Sequence, residues 1–162
     1  MTAIRRIQMT VATGFGSGLS PKAPGTCGTF AAIFFYLPFA RLNETRPDLY
    51  AVWLVGFLFF AVWAANGAEA HYQRHDVGHI VIDEFHGYFM TMFLIPANVR
   101  TLIAAFVIFR VLDILKPPPA KQIDRGWPGG WGVVLDDTVS GIYACLLMHA
   151  LARFAPAILG LG

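Results

Sequence analysis

Five carboxylates stand in stretches that are otherwise apolar: Asp83 and Glu84 in the run Ile80 to Ile95, Asp113 in Thr101 to Leu115, and Asp136 and Asp137 in Gly132 to Leu159. A lone carboxylate in hydrocarbon costs roughly 3 kcal/mol on insertion scales, and such residues mark functional sites. Carboxylates that share one site raise one another's pKa unless cations neutralise them. The hard cation suited to their oxygens is Mg²⁺, which takes one or two carboxylates together with a substrate phosphate. One or two Mg²⁺ ions would suit this set. The competing reading of any single acid is an ion pair with Arg110, Lys116 or Arg125 at a helix end, or a solvated turn. Five such coincidences make the weaker account.

Arg110, Asp113 and Lys116 are spaced i, i+3, i+6 and share one helix stripe. They form either a salt-bridge ladder or a metal ligand flanked by two phosphate-binding cations. A glycine-rich segment, Gly14 to Gly28, brings the hydroxyls of Ser17, Ser20 and Thr26 together with Lys22. Backbone N–H groups there can approach an anion closely, as in a phosphate cradle ahead of a helix N-terminus. The segment lacks the Gly-Lys-Ser/Thr ending of a P-loop and the spacing of a dinucleotide fingerprint. Alone it reads more readily as a tight turn, and the acids beside it favour the anion reading. His71, His75 and His79 have helical spacing, but Gly78 and the polar surroundings predict a solvated loop with the pair His75-Asp76 nearest the acids. His86 and His149 read as helix-packed or interfacial.

These residues must be positioned by membrane helices. The 162 residues are 56% apolar and only 14% charged, with a mean hydropathy of +0.56, against a usual charged share of about 25%. Twelve Lys/Arg and ten Asp/Glu leave a net charge of +2 without a basic cluster, which excludes nucleic-acid binding. Cys27 and Cys145 read as small core hydrophobes rather than a disulfide or zinc site. Residues Met1 to Met9 contain no continuous apolar run, so no cleaved signal peptide is expected. Trp53, Trp63, Trp127 and Trp131 read as interfacial anchors and packing surface.

Spanning a bilayer takes roughly 20 apolar residues, and five segments are candidates. Leu49 to Ala65 is the clearest; Thr29 to Leu42 is short and carries Pro38, which makes it re-entrant or tilted; the other three hold the acids. Polar or Pro/Gly-rich connections fall at Arg41 to Asp48, Asn66 to His79, Pro96 to Asn98 and Pro117 to Gly130. The expected architecture is all-α, a single domain over 1–162: a small polytopic bundle of four to five apolar helices. If all five cross, Arg5, Arg6, Lys22, Arg74, Lys116, Lys121 and Arg125 fall on one side and Arg41, Arg46, Arg100 and Arg153 on the other. Seven against four places the N-terminus inside. All five acids and the glycine-rich segment then lie near that same face.

Four ordered motifs carry a family resemblance: Gly14 to Thr29, Ile82-Asp83-Glu84-Phe85-His86-Gly87, the string from Phe109 to Pro119, and the string from Gly129 to Asp137. Together they resemble phosphatidylglycerophosphatase A, a bacterial inner-membrane lipid phosphatase. The resemblance implies an α-helical fold and Mg²⁺-dependent hydrolysis of phosphatidylglycerophosphate to phosphatidylglycerol, with the active site facing the cytoplasm. It assigns Asp83, Glu84, Asp113, Asp136 and Asp137 to the family's acidic positions and Arg110 and Lys116 to its basic ones. Ser17, Pro24, Gly25 and Thr26 match its glycine-rich loop. Lys22 is left as a phosphate or headgroup contact, and His86 is left unassigned.

That chemistry suits the residues, because phosphomonoester hydrolysis needs charge neutralisation on the transferring oxygens and a placed nucleophile. A metal-activated water is the expected nucleophile; an aspartate passing through a phosphoaspartyl intermediate is the alternative. The expected partners are phosphatidylglycerophosphate and membrane lipids, and the sequence leaves the oligomeric state open. Two other functions stand beside this one: a phosphatase for another lipid phosphate, and a small divalent-cation carrier. The D-x-D-x-T nucleophile motif and the Pro-Ser-Gly-His string of other phosphatases are absent.

Overall fold

The computed structural model describes residues 2–73 and 77–161, and among them every regular element is helical. Three helices are long and apolar enough to cross a membrane: α2 (Pro24–Thr45), α3 (Pro47–Tyr72) and α7 (Gly129–Phe154). Before them come α1 (Ala3–Ala12) and a 3-10 turn over Gly14–Leu19. Between α3 and α7 lie α4 (Ile82–Thr91), α5 (Val99–Leu115) and α6 (Ala120–Gly126), and α8 (Pro156–Leu159) closes the chain. The acidic site lies where α2, α4 and α7 begin and α5 ends, so the first three run away from it and α5 runs towards it.

Several expectations need correcting. The first apolar segment is not a short re-entrant piece: α2 is continuous over 22 residues with Pro38 inside it, about 33 Å long at 1.5 Å per residue. Residues Asn66 to Tyr72 are not loop, because α3 carries on through them. The run Ile80 to Ile95 is not a full span, since its helix has only ten residues. With 17 residues, α5 reaches only the lower length limit for a span. By length and composition, three helices among the described residues suffice for a span, while α4 and α5 are apolar but shorter.

α4 can be this short because the other helices enclose it. Nine of its ten residues are buried, Met90 being the exception, and a helix buried all round carries no outward polar face. Its orphan carbonyls would be costly in an apolar interior, and neighbouring side chains satisfy them. Tyr50 donates its hydroxyl to the Phe89 carbonyl at 2.9 Å, and Asn43 donates Nδ2 to the Met92 carbonyl at 2.7 Å. Asn43 Oδ1 also accepts from the Leu94 N–H at 2.9 Å. His149 Nε2 lies 3.1 Å from the Phe93 carbonyl. Tyr36, Tyr50, Tyr88, Trp53 and Phe89 pack edge-to-face and stacked around this end.

Small residues set the helix spacing. A Cβ on Gly141 of α7 would stand 2.5 Å from the Gly87 carbonyl oxygen of α4, and one on Gly130 would stand 2.5 Å from the Val62 carbonyl of α3. Close backbone approach through small residues is how helices associate without a hydrophobic driving force. The outer faces are apolar instead: Phe30 and Phe34 of α2, Val52 and Phe59 of α3, Ile103 of α5 and Leu146 of α7 are all exposed. Such a belt suits lipid rather than water.

Overpacking this contact should be costly. Gly141→Val is expected to lower unfolding free energy by about 2 kcal/mol, seen as a lower thermal midpoint in detergent. Gly56→Ala, at a site with no atom within 4 Å of the new Cβ, should leave the midpoint unchanged or raised.

Candidate active site

The start of α4 places Asp83 and Glu84 at one end of the bundle. The last two turns of α5 add Arg110 and Asp113, and Lys116 stands at its C-cap with φ +43°. The third turn of α7 supplies Asp136 and Asp137. These seven residues line one cavity of about 280 Å³ with Pro24 and Gly25 of α2, Gly78, Ile80 and Asp124 of α6 among the other lining residues. The sequence-predicted acids and bases are thus brought together. Asp124 is the charged residue that the sequence reading missed; the only hint was Ala120 to Arg125, a run free of proline and glycine inside a Pro/Gly-rich connection.

Ion pairs partition the cavity. Arg110 Nη1 donates to Asp113 Oδ2 at 2.6 Å and lies 3.6 Å from Glu84 Oε1. Lys116 Nζ bridges Asp124 Oδ1 at 2.8 Å and Asp136 Oδ2 at 2.6 Å. The stripe Arg110, Asp113, Lys116 is therefore half a ladder: its first pair forms, while Lys116 turns to α6 and α7. Burial works against charge on Lys116, but the hydrogen bonds to Asp124 and Asp136 outweigh it and hold its ammonium above the usual lysine range. Arg125 forms no ion pair with the five acids among the described residues and lines a separate surface pocket with Glu69 and Trp127.

Six acidic side chains face two cations here, a formal excess of four negative charges when all are ionised. Among the described residues no Lys, Arg or His pairs with Asp83 or Asp137. Asp83 Oδ1 accepts the Glu84 N–H at 3.0 Å. Glu84 Oε2 and Asp136 Oδ1 are buried with no hydrogen-bond partner, as is the Arg110 Nε–H donor. Asp83, Glu84 and Asp137 each offer a carboxylate oxygen within 4.8 Å of the others. Hard oxygens, close spacing and orphaned acceptors fit a divalent cation such as Mg²⁺.

The glycine-rich segment divides. Its α2 end reaches the cavity: a Cβ on Gly25 would collide with Glu84 Oε1 and stand 3.1 Å from Arg110 Nη2. Glycine is needed there for close approach. The first N–H groups of a helix have no intrahelical acceptor, and the Cys27 N–H makes the first backward bond, to Ala23, which leaves those of Gly25 and Thr26 without an acceptor among the described residues. Ser17, Ser20, Lys22 and Thr26 are not brought into the cavity lining. Ser17 Oγ donates to the Gly14 carbonyl at 2.8 Å, Ser20 Oγ donates to the Lys22 carbonyl at 2.9 Å, and Lys22 is exposed. The 3-10 turn packs on α4 instead, with Gly14 and Gly18 leaving room for Val81.

Of the histidines, His71 lies in the last turn of α3 and His79 holds the Gly18 carbonyl through Nδ1 at 3.1 Å; His75 and Asp76 lie outside the described residues. His86 is buried below the acids, its Nε2 3.2 Å from the Leu54 carbonyl and its Nδ1 3.0 Å from Thr138 Oγ1, so both ring nitrogens are occupied.

The sequence profile of the phosphatidylglycerophosphatase A family matches residues 10–152. The chain belongs to that family. Phosphatidylglycerophosphatase A of Escherichia coli is 38% identical over 148 residues, covering 90% of this chain and 84% of the relative. Its Haemophilus influenzae counterpart is 34% identical over 142 residues, covering 87% and 86%. A Bacteroides thetaiotaomicron protein named provisionally as a phosphatidylinositol-3-phosphatase is 38% identical over 157 residues, covering 91% and 94%. No solved structure gives a significant match. The four motifs that resembled the phosphatidylglycerophosphatase A family all fall within the matched region, and three of them meet at the cavity through side chains.

Removing one partner of the Lys116–Asp136 pair should strand a buried charge. Lys116→Met is expected to cost about 3 kcal/mol of stability, and Lys116→Met combined with Asp136→Asn should recover most of it. Thermal midpoints of the two variants and of each single change, measured in detergent without divalent cations, check this.

Proposed function

We propose that this chain is a Mg²⁺-dependent phosphatidylglycerophosphatase, hydrolysing the terminal phosphate of phosphatidylglycerophosphate to give phosphatidylglycerol and inorganic phosphate in phospholipid biosynthesis. The observation that carries it is the acid-rich cavity at one end of a membrane bundle whose sequence matches the phosphatidylglycerophosphatase A family over residues 10–152. A lipid phosphate lies at the membrane surface, and a cavity at the ends of spanning helices meets it there. The excess of Lys and Arg on the site's side supports a cytoplasmic cavity in a bacterial inner membrane.

In this reading Asp83, Glu84 and Asp137 hold the cation, with Asp136 and Asp113 completing the negative wall. Bound there, Mg²⁺ would neutralise charge on the phosphoryl oxygens and make a water more acidic. The chain's own donors bind the phosphate. Arg110 offers its unpartnered Nε–H, and the free N–H groups of Gly25 and Thr26 offer an anion-binding helix start. Lys116 has three N–H protons, two of them engaged by Asp124 and Asp136, so one is left for a phosphate oxygen. Asp124 thereby orients Lys116. A carboxylate of the cluster takes the proton of the attacking water as its oxygen bonds to phosphorus and the P–O bond to the glycerol breaks, and that proton passes to the departing glycerol oxygen. Ser17 and Ser20 shape the loop through their own carbonyl contacts, and exposed Lys22 meets the headgroup.

The carrier alternative lacks a path. At the far end of the bundle Glu44 accepts from the Ala97 N–H and Asp48 pairs with Arg46, and no acidic side chain among the described residues links those to the cavity.

Purified protein in mixed micelles should release phosphate from phosphatidylglycerophosphate with Mg²⁺ and lose that activity with a chelator. Asp137→Asn should lower turnover on the order of a hundredfold or more with its thermal midpoint preserved. Faster release from phosphatidylinositol 3-phosphate would move the substrate assignment to the activity named for the Bacteroides relative. No release from either lipid under any divalent cation would overturn the phosphatase reading.

A further inference from the structure

α1 carries an apolar stripe that no other element among the described residues covers. Ile4 and Ile7 are 63% and 55% exposed, and residues three apart share a helix face. The helix is not free to turn that face inward, because its other side is fixed. Gln8 Nε2 donates to the Trp63 carbonyl at 3.0 Å, Gly67 leaves room for the Gln8 side chain, and Ala12 is fully buried. Arg5, Arg6 and Thr10 are exposed beside the stripe, so α1 has a basic flank and an apolar face, both outward.

The 3-10 turn after α1 joins this surface to the membrane belt. Phe15 is 59% exposed and stacks on Phe35 of α2, with centroids 4.9 Å apart and planes 8° from parallel. Phe35 stands beside the exposed Phe30 and Phe34 on the outer side of a spanning helix.

We propose that α1 is an interfacial helix seated in the leaflet on the cavity's side, with Ile4 and Ile7 in the acyl boundary and Arg5 and Arg6 against anionic headgroups. Short amphipathic helices with basic polar faces bind bilayers in this way, and the attraction grows with anionic lipid content. The occupant is lipid rather than a protein partner, because the turn that follows α1 carries the exposed Phe15 onto a lipid-facing surface and the flank of the stripe is basic. The seat also reaches the site: the Ala12 carbonyl accepts the Val81 N–H at 2.8 Å, immediately ahead of α4 and its Asp83. Leaflet contact at α1 therefore sets the height of the acids relative to the lipid phosphates. The inference stands on exposure and attachment, independent of the reaction.

Nitroxide labels at Ile4→Cys, Ile7→Cys, Arg6→Cys and Thr10→Cys, in full-length protein carrying Cys27→Ser and Cys145→Ala, test it in nanodiscs. One set holds phosphatidylcholine alone, the other equal parts phosphatidylcholine and phosphatidylglycerol. Accessibility to oxygen should exceed accessibility to a water-soluble nickel complex at positions 4 and 7, and the ratio should reverse at 6 and 10. The label at position 7 should sit deeper with phosphatidylglycerol, and Arg5→Gln with Arg6→Gln should abolish that shift. Nickel access at all four positions overturns the proposal, as does a depth at position 7 that ignores lipid charge. Dipolar broadening between labels at position 7 would show a second copy of the chain on this face and would equally overturn it.

Discussion

A formal excess of four acidic groups over cations in one cavity at the end of an apolar bundle constrains the rest of this structure. Two cations, Arg110 and Lys116, are spread across four of the six carboxylates, which leaves Asp83 and Asp137 without a cationic partner among the described residues. Removing a charge from water is expensive, and the remedy is pairing, hydrogen bonding or a bound cation. The helices serve this arrangement. α4 is short and enclosed so that two acids can begin it away from lipid, and the polar side chains Asn43, Tyr50 and His149 stand at its other end to satisfy the carbonyls that so short a helix exposes.

The same constraint explains the glycines. At Gly25 the start of α2 comes so near Glu84 and Arg110 that a methyl group would displace them. At Gly87 and Gly141 the backbones of α4 and α7 touch, which sets Asp83 and Asp137 on adjacent helices within reach of one ion. Packing and electrostatics are one design here, since the closeness that permits a cation site also makes it repulsive without one.

Much of this was legible in the residues. Alternating apolar segments of span-like length placed Asp83, Glu84, Asp113, Asp136 and Asp137 near one face, and the structure brings them to one cavity. The extent of α4 was not legible, because an apolar run looks the same whether lipid or protein surrounds it. α1 was missed because only Ile4, Ile7 and Val11 mark its face, and Asp124 was hidden in a seven-residue helix between prolines and glycines. The hydroxyls of Ser17 and Ser20 looked available for phosphate, yet neighbouring carbonyls take them up, a local competition that residue type alone does not reveal.

The claim at the centre of this account is that a divalent cation balances Asp83, Glu84 and Asp137. Anomalous diffraction from crystals grown with Mn²⁺ in place of Mg²⁺ tests it most directly. The account predicts a manganese peak among those three carboxylates, lost in Asp83→Asn crystals. A well-ordered cavity with no peak there, or a peak at a site remote from these carboxylates, would contradict it.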